Sequence, residues 1–222
     1  MKENKIQKIL IKALLDATLN EMYYNGEANI FGIYAYGSLL YNNLNEKSDL
    51  DYCIVVGEHT ISDEYIQIEL EDLDFHLMTE KHYKKLLKEH DIMALEMYYQ
   101  KNPILKFEVD FTLDKVQLRN SISKVVSNSY VKAKKKMELP NEDSYIGLKS
   151  LFHSFRILDF GIQIAKNGEI SNFNYELTFE NITPEQSANS ASLEWKNWKF
   201  TKPYLNAMKT EFRLLAPLLQ KD

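Results

Sequence analysis

The sequence predicts an α+β protein with a strand-rich front and a helix-rich back. Two observations predict it, and a third divides the chain into the same two parts. Short runs rich in β-branched and aromatic residues crowd between residues 30 and 78. Apolar residues recur at helical spacing before and after that region. Charge divides the same way: residues 1–115 hold 12 Lys and Arg against 21 Asp and Glu, and residues 116–222 hold 15 against 11.

The elements follow in order. Ile6, Ile9, Leu10, Ala13, Leu14, Ala17 and Met22 share a helical face, so a helix is expected over 3–24, stopped by Asn25-Gly26. A strand is expected over 30–36, ending at Gly37-Ser38, and another over 50–56, closed by Gly57. Residues 65–70 and 73–78 read as strands joined by a turn at Glu71-Asp72. Helices are expected over 80–90, 92–100, 118–137, 143–166, 184–198 and 204–220. Breaks are expected at Leu139-Pro140-Asn141, Asn167-Gly168 and Lys202-Pro203. The boundary between the halves falls near residues 112–117, giving a front domain of residues 1–115 and a helical domain of residues 116–222.

Composition narrows the function classes. At 222 residues the chain suits one large domain or two small ones, and 45% apolar with 27% charged residues is ordinary for a globular protein. The single cysteine, Cys53, excludes an internal disulfide and a multi-cysteine zinc site, and an inert buried thiol is expected. No apolar stretch reaches the roughly 18 residues of a spanning helix, and the N-terminus lacks a signal-peptide core. A cytoplasmic protein without membrane contact is the expectation. The net charge of −5 argues against strong nonspecific nucleic-acid binding. The acidic front suits cations, and the mildly basic back suits phosphates.

Chemistry concentrates in Tyr36-Gly37-Ser38 and Ser48-Asp49-Leu50-Asp51. Alternate residues of a strand share a face, so Asp49 and Asp51 project together. Two carboxylates this close repel unless a cation lies between them. Mg²⁺ suits such a set because it takes hard oxygen ligands and commonly bridges carboxylates and substrate phosphates. A third acid on an adjacent strand completes a two-metal arrangement. Gly37 lets backbone approach a phosphate, and Ser38 adds a hydroxyl donor. Asp-x-Asp and Gly-Ser are each common by chance. What distinguishes them here is their order: strand, Gly-Ser, polar segment, Ser-Asp-x-Asp strand, later strand bearing an acid.

That combination, written GSLLYNNLNEKSDLDYCIV, resembles the DNA polymerase β-type nucleotidyltransferase superfamily over about residues 30–80. The resemblance implies a nucleotidyltransferase fold: a small mixed β-sheet with flanking helices, here followed by a helical C-terminal domain. It also implies metal-dependent transfer of a nucleoside monophosphate from an NTP with release of pyrophosphate. By position, Gly37, Ser38 and Ser48 would contact the nucleotide, and Asp49 and Asp51 would hold Mg²⁺ (two ions). The loop Leu39-Leu40-Tyr41-Asn42-Asn43 lacks the second glycine of many small members.

Glu69, Glu71, Asp72 and Asp74 all lie where the third carboxylate belongs. Asp74 is chosen because it begins a strand-like run leading into a helix, the family's usual context, with metal binding or general-base work as its role. His76 lies two residues on and is expected to be structural. In the back half, Ile146, Phe152, Phe155 and Ile162 read as core, while Lys149, His153 and Arg156 line one helical stripe. That stripe could meet a triphosphate or a ribose, and KSLFHSFR resembles the Lys-x-x-x-His-x-x-Arg helix of some RNA-repair-associated members. Its bland alternative is a polar face in which Arg156 pairs with Asp159. The run Lys132 to Lys136 reads as a solvated helix end, and Trp195, Trp198, Phe200 and Tyr204 as packing between C-terminal helices.

Two function classes remain. One is an active nucleotidyltransferase whose acceptor is an RNA 3′ end, a protein or a small molecule. The other is a catalytically silent, antitoxin-type nucleotide-binding module. Gly37-Ser38 together with Asp49 and Asp51 favours the first, since a silent copy need not keep both.

Overall fold

The structure is a computed structural model that describes residues 29–44, 48–138, 144–174 and 198–217, together with Ile11, Ala13 and Ala17. The chain divides into two compact units, Met1–Thr112 and Leu113–Asp222.

In the first unit the order is β1 (Ile30–Tyr36), α1 (Gly37–Leu40), β2 (Leu50–Val56), β3 (Tyr65–Leu70), β4 (Leu73–Thr79), α2 (Glu80–Lys88) and α3 (Ile92–Tyr99). The four strands form one sheet in the order β1-β2-β4-β3. β1–β2 and β3–β4 pair antiparallel, and the central pair β2–β4 runs parallel. The sheet is therefore mixed, as the resemblance implied. α1 is a helical turn where the sequence reads only a Gly-Ser turn.

Period-two alternation sorts the strands' side chains onto two faces. Ile33, Tyr52, Ile54, Val56, Ile68, Phe75 and Leu77 face one way and form a buried cluster with Ile11 and Ile61. Phe75 and Leu77 are fully buried, and each such side chain contributes about 1.5–3 kcal/mol. Ile11, Ala13 and Ala17 have helical backbone, while the rest of the expected helix over 3–24 lies outside the described residues. The other face carries Tyr34, Cys53, Val55 and Met78 in its buried part, beside Tyr83 and Leu87 of α2 and Ala94, Leu95 and Met97 of α3. Thr79 and Asp91 cap those helices by accepting from His82 N at 3.2 Å and Met93 N at 2.9 Å. Gln100 Nε2 donates to Ala35 O at 2.9 Å, which ties the end of α3 to β1.

Among the described residues the second unit holds α4 (Lys115–Glu138), α5 (Ser144–Asn167) and α6 (Trp198–Leu215). α4 starts three residues earlier than the apolar pattern indicates, because Asp114 Oδ1 accepts from Val116 N and Gln117 N at 2.8 and 3.1 Å. Leu118, Ile122, Val126, Ala133 and Met137 are its buried stripe. Lys132, Lys134 and Lys135 lie on the exposed side of the same helix. α5 ends where expected: Gly168 takes φ +78° and its N–H donates to Ile164 O at 2.8 Å.

Two expectations are corrected. Ile146 is 36% exposed, while Leu148, Leu151, Phe155, Leu158 and Ile162 carry the core of α5. α6 runs through Pro203 instead of breaking there. The ring removes one ladder hydrogen bond. Thr201, Leu205, Met208 and Phe212 are buried on one face on both sides of it, and that packing holds the helix together. The helix expected over 184–198 lies outside the described residues except for Trp198, as does the break at 139–141.

Candidate active site

The turn after β1 is shaped by a side chain of β2. Gly37 has φ +54°, and a Cβ placed there would lie 1.9 Å from Asp51 Oδ2 and 2.9 Å from Asp51 Cγ. A glycine is therefore needed both for the left-handed backbone and for the space that the Asp51 carboxylate fills. The α1 turn closes through Tyr41 N–H to Gly37 O at 3.1 Å and Asn43 N–H to Ser38 O at 3.1 Å. Tyr41 is buried, and its hydroxyl donates to Glu96 Oε1 on α3 at 2.8 Å. Glu96 itself is fully buried. Sequence reading missed this anchor, because an acid inside the apolar run of α3 carries no spacing signal.

Strand register lines up the acids. Tyr36 is opposite Asp51, Asp51 opposite Asp74, and Asp74 opposite Glu69, so one row crosses all four strands. The next row on that face is Tyr34, Cys53, His76 and Gln67. Ligand atoms of Asp51, Asp74 and His76 all lie within 4.8 Å of one another. Gln67 Nε2 donates to Asp74 Oδ2 at 2.7 Å. Asp74 Oδ1 is buried and has no hydrogen-bond partner among the described residues. A carboxylate oxygen left so costs about 1–3 kcal/mol or more, which a cation would offset. His76 Nε2 is 3.5 Å from Asp74 Oδ2, its Nδ1 meets the Tyr65 hydroxyl at 2.6 Å, and the edges and faces of Tyr36 and Tyr65 enclose its ring.

The other sequence candidates are placed as follows. Asp49 is exposed and stands one residue before β2, outside the three-residue group. Ser38 is half-buried within the α1 turn, and Ser48 is half-buried two residues before β2. Glu69 is exposed on edge strand β3, and Glu71 and Asp72 occupy the hairpin turn.

The surroundings are electronegative. Burial pushes the Cys53 thiol well up, and Glu96, Asp51, Asp74 and Asp91 push it the same way. It stays protonated, as an inert thiol should. Burial, then Glu96, holds the Tyr36 phenol well above its ordinary value. Burial is the main cause at both groups, and the carboxylates that add to it make surroundings that suit a divalent cation.

In the second unit, Lys149 is exposed and His153 and Arg156 are half-buried on α5. Arg156 Nη2 lies 3.1 Å from His153 Nδ1. Guanidinium can only donate, so Nδ1 is the acceptor and His153 carries its proton on Nε2. Burial and the nearby Arg156, Lys132 and Lys149 lower its pKa from 6.5 to about 4. Asp159 accepts from Gln163 Nε2 at 2.6 Å. Between pH 6.5 and about 4 the unfolded chain takes up a proton that the folded one refuses. This contribution to stability is complete above pH 6.5 and is lost as pH falls through that window. The expected loss is on the order of 3 kcal/mol at most. Urea denaturation at pH 7.5 and 4.5 checks it: His153→Gln should lose less stability than the parent, and equal losses would rule out a buried neutral His153.

No helix among the described residues is long and apolar enough to cross a membrane. Comparison with known proteins adds the following. The family model described as "Nucleotidyltransferase domain" matches residues 18–139, more than half of the chain. No curated protein matches. Among solved structures, the chain is similar to a nucleotidyltransferase-like protein from Exiguobacterium sibiricum, with 11% identity, 91% of this chain and 74% of that chain covered, and a TM-score of 0.30.

Proposed function

We propose, from the premise that this chain belongs to the nucleotidyltransferase-domain family, that it moves a nucleoside monophosphate from an NTP to a hydroxyl acceptor and releases pyrophosphate. The observation that carries this reading is the pairing of Asp51 with Asp74 across the parallel β2–β4 ladder, with Asp74 Oδ1 buried and unpartnered. Asp51 and Asp74 would hold Mg²⁺, with Asp49 beside them at the mouth of β2. When bound, the metal supplies charge neutralisation at the triphosphate and eases deprotonation of the attacking hydroxyl.

The chain's own residues supply the rest. Asp74 is oriented by the Gln67 amide, which donates to Oδ2, while Oδ1 is buried with no hydrogen-bond partner among the described residues. In that position it serves as ligand or as general base toward the acceptor hydroxyl. Gly37, Ser38 and Ser48 flank the acids, and Ser38 offers its hydroxyl and the N–H groups of the α1 turn to phosphate oxygens. The Tyr41–Glu96 hydrogen bond holds that turn still, which matters because misplacing reacting groups by about 1 Å costs on the order of 10²-fold. Lys149, His153 and Arg156 are assigned to nucleotide phosphate or ribose. A neutral His153 with its proton on Nε2 is a donor suited to an oxygen acceptor.

The test is incubation with each α-labelled NTP, Mg²⁺ and a panel of RNA, protein and small-molecule acceptors. Pyrophosphate release with label on one acceptor class is the expected outcome. Nucleotide binding with no label on any acceptor would replace this reading with the silent, regulatory one.

A further inference from the structure

We propose that His76 is a nitrogen ligand of the Asp51–Asp74 site, so that the site prefers a first-row transition ion such as Mn²⁺ to Mg²⁺. The inference rests on the metal-binding part of the reading above and names a ligand and a preference that the carboxylates alone would not give.

Four observations support it. First, His76 shares the face of Asp74 and sits in the row behind it, and one ligand atom of each of the three side chains lies within 4.8 Å of the others. Second, the two imidazole nitrogens are already differentiated. Nδ1 meets the Tyr65 hydroxyl at 2.6 Å, while Nε2 is 3.5 Å from Asp74 Oδ2. An imidazole ligand generally gives its remaining N–H to a partner that fixes tautomer and ring orientation, and Tyr65 occupies that place.

Third, the 3.5 Å gap is too long for a good hydrogen bond, and Asp74 Oδ2, which accepts from Gln67 at 2.7 Å, keeps a second lone pair for a cation. Two atoms each about 2.1 Å from one ion sit about 3.0–3.5 Å apart at octahedral or tetrahedral angles. The gap thus has the size of a shared ion. Fourth, Asp74 Oδ1 is buried without a partner among the described residues, so the site holds an acceptor for which those residues supply no donor.

The preference follows from ligand chemistry. Mg²⁺ takes oxygen and resists replacement of its water by nitrogen. Mn²⁺, Co²⁺ and Zn²⁺ accept mixed carboxylate and imidazole sets, with affinity for a given site rising through the series toward copper. Tyr36 and Tyr65 pack around the ring and hold its plane, so His76 cannot swing aside without giving up both contacts.

The test uses Mn²⁺ alone as probe, with the full chain and no nucleotide, since a purine would add nitrogens. Electron spin-echo envelope modulation of the bound Mn²⁺ should show ¹⁴N coupling in the parent and none in His76→Gln. Competition titrations should show the Mn²⁺-to-Mg²⁺ affinity ratio falling at least tenfold in His76→Gln. Tyr65→Phe should keep the ¹⁴N coupling and weaken Mn²⁺ severalfold. Mn²⁺ bound without ¹⁴N coupling in the parent, or coupling that survives His76→Gln, overturns the proposal. The parent spectrum needs no variant, so a misfolded mutant cannot decide the question. ¹⁴N coupling in a protein that labels no acceptor would sink the transferase reading and leave this one standing. Labelled acceptor without ¹⁴N coupling would do the reverse.

Discussion

Asp49→Asn combined with Asp51→Asn should lower NMP transfer by more than about 10³-fold while leaving the fold intact. The magnitude follows from removing the anionic ligands that would fix a divalent ion at the developing charge. Loss of even one well-placed electrostatic group costs on the order of 10²–10³-fold in a closed site, and here two go together. The fold should hold because both changes conserve shape, Asp49 is exposed, and neutralising Asp51 relieves repulsion from Asp74 directly opposite. The single variants should differ. Asp51 belongs to the group within 4.8 Å and Asp49 does not, so Asp51→Asn alone should cost more than Asp49→Asn alone. The check is the labelled-NTP assay beside thermal unfolding of the same preparations. Transfer surviving in the double variant would remove the metal assignment.

Gly37→Ala should be nearly as damaging by a different route. Its methyl would enter the space of the Asp51 carboxylate, 1.9 Å from Oδ2, and no rotation of the methyl avoids that. Either Asp51 leaves the row shared with Asp74 or the turn moves. Alanine at φ +54° also costs about 1–2 kcal/mol in the left-handed region. Transfer should drop by at least about 10²-fold from misplacement of Asp51, with a modest fall in melting temperature. Gly168→Ala separates the two causes. Gly168 has φ +78° with nothing within 4 Å of an added Cβ, so it should show the backbone cost without the loss of transfer. Near-parental activity in Gly37→Ala would mean that the carboxylate's position against the turn is immaterial.

The front sheet was legible because each strand is a short β-branched or aromatic run bounded by a glycine or an acidic turn. The expected runs at 30–36, 50–56 and 65–70 coincide with β1, β2 and β3, and 73–78 with all but the last residue of β4. The parallel pairing of β2 with β4 was not legible from spacing, since period two says nothing about a strand's partner. The family resemblance implied only that the sheet is mixed. That pairing sets Asp51 opposite Asp74, leaving Glu71 and Asp72 in the turn.

Glu96 and Tyr41 were missed for another reason. A hydrogen bond between residues 55 apart in the chain leaves no local pattern. His76 was read as structural, and its Nδ1 contact with Tyr65 and the gap to Asp74 are what support the ligand role proposed above. Pro203 misled because the local rule is strong, and it is overridden only by packing on both sides of the ring.

The hairpin between β3 and β4 has one more consequence. Leu70 is opposite Leu73, so only Glu71 and Asp72 lie between the strands. β4 is held in place by Phe75 and Leu77 in the buried cluster. A one-residue insertion or deletion at that turn would thus displace β3 by one step. Gln67 and Tyr65 would swing to the apolar side, and Ile66 and Ile68 would face the acids. The length of this connection matters more than its residue identities. Descendants of this gene should accept substitutions there far more readily than a frame-preserving codon gained or lost.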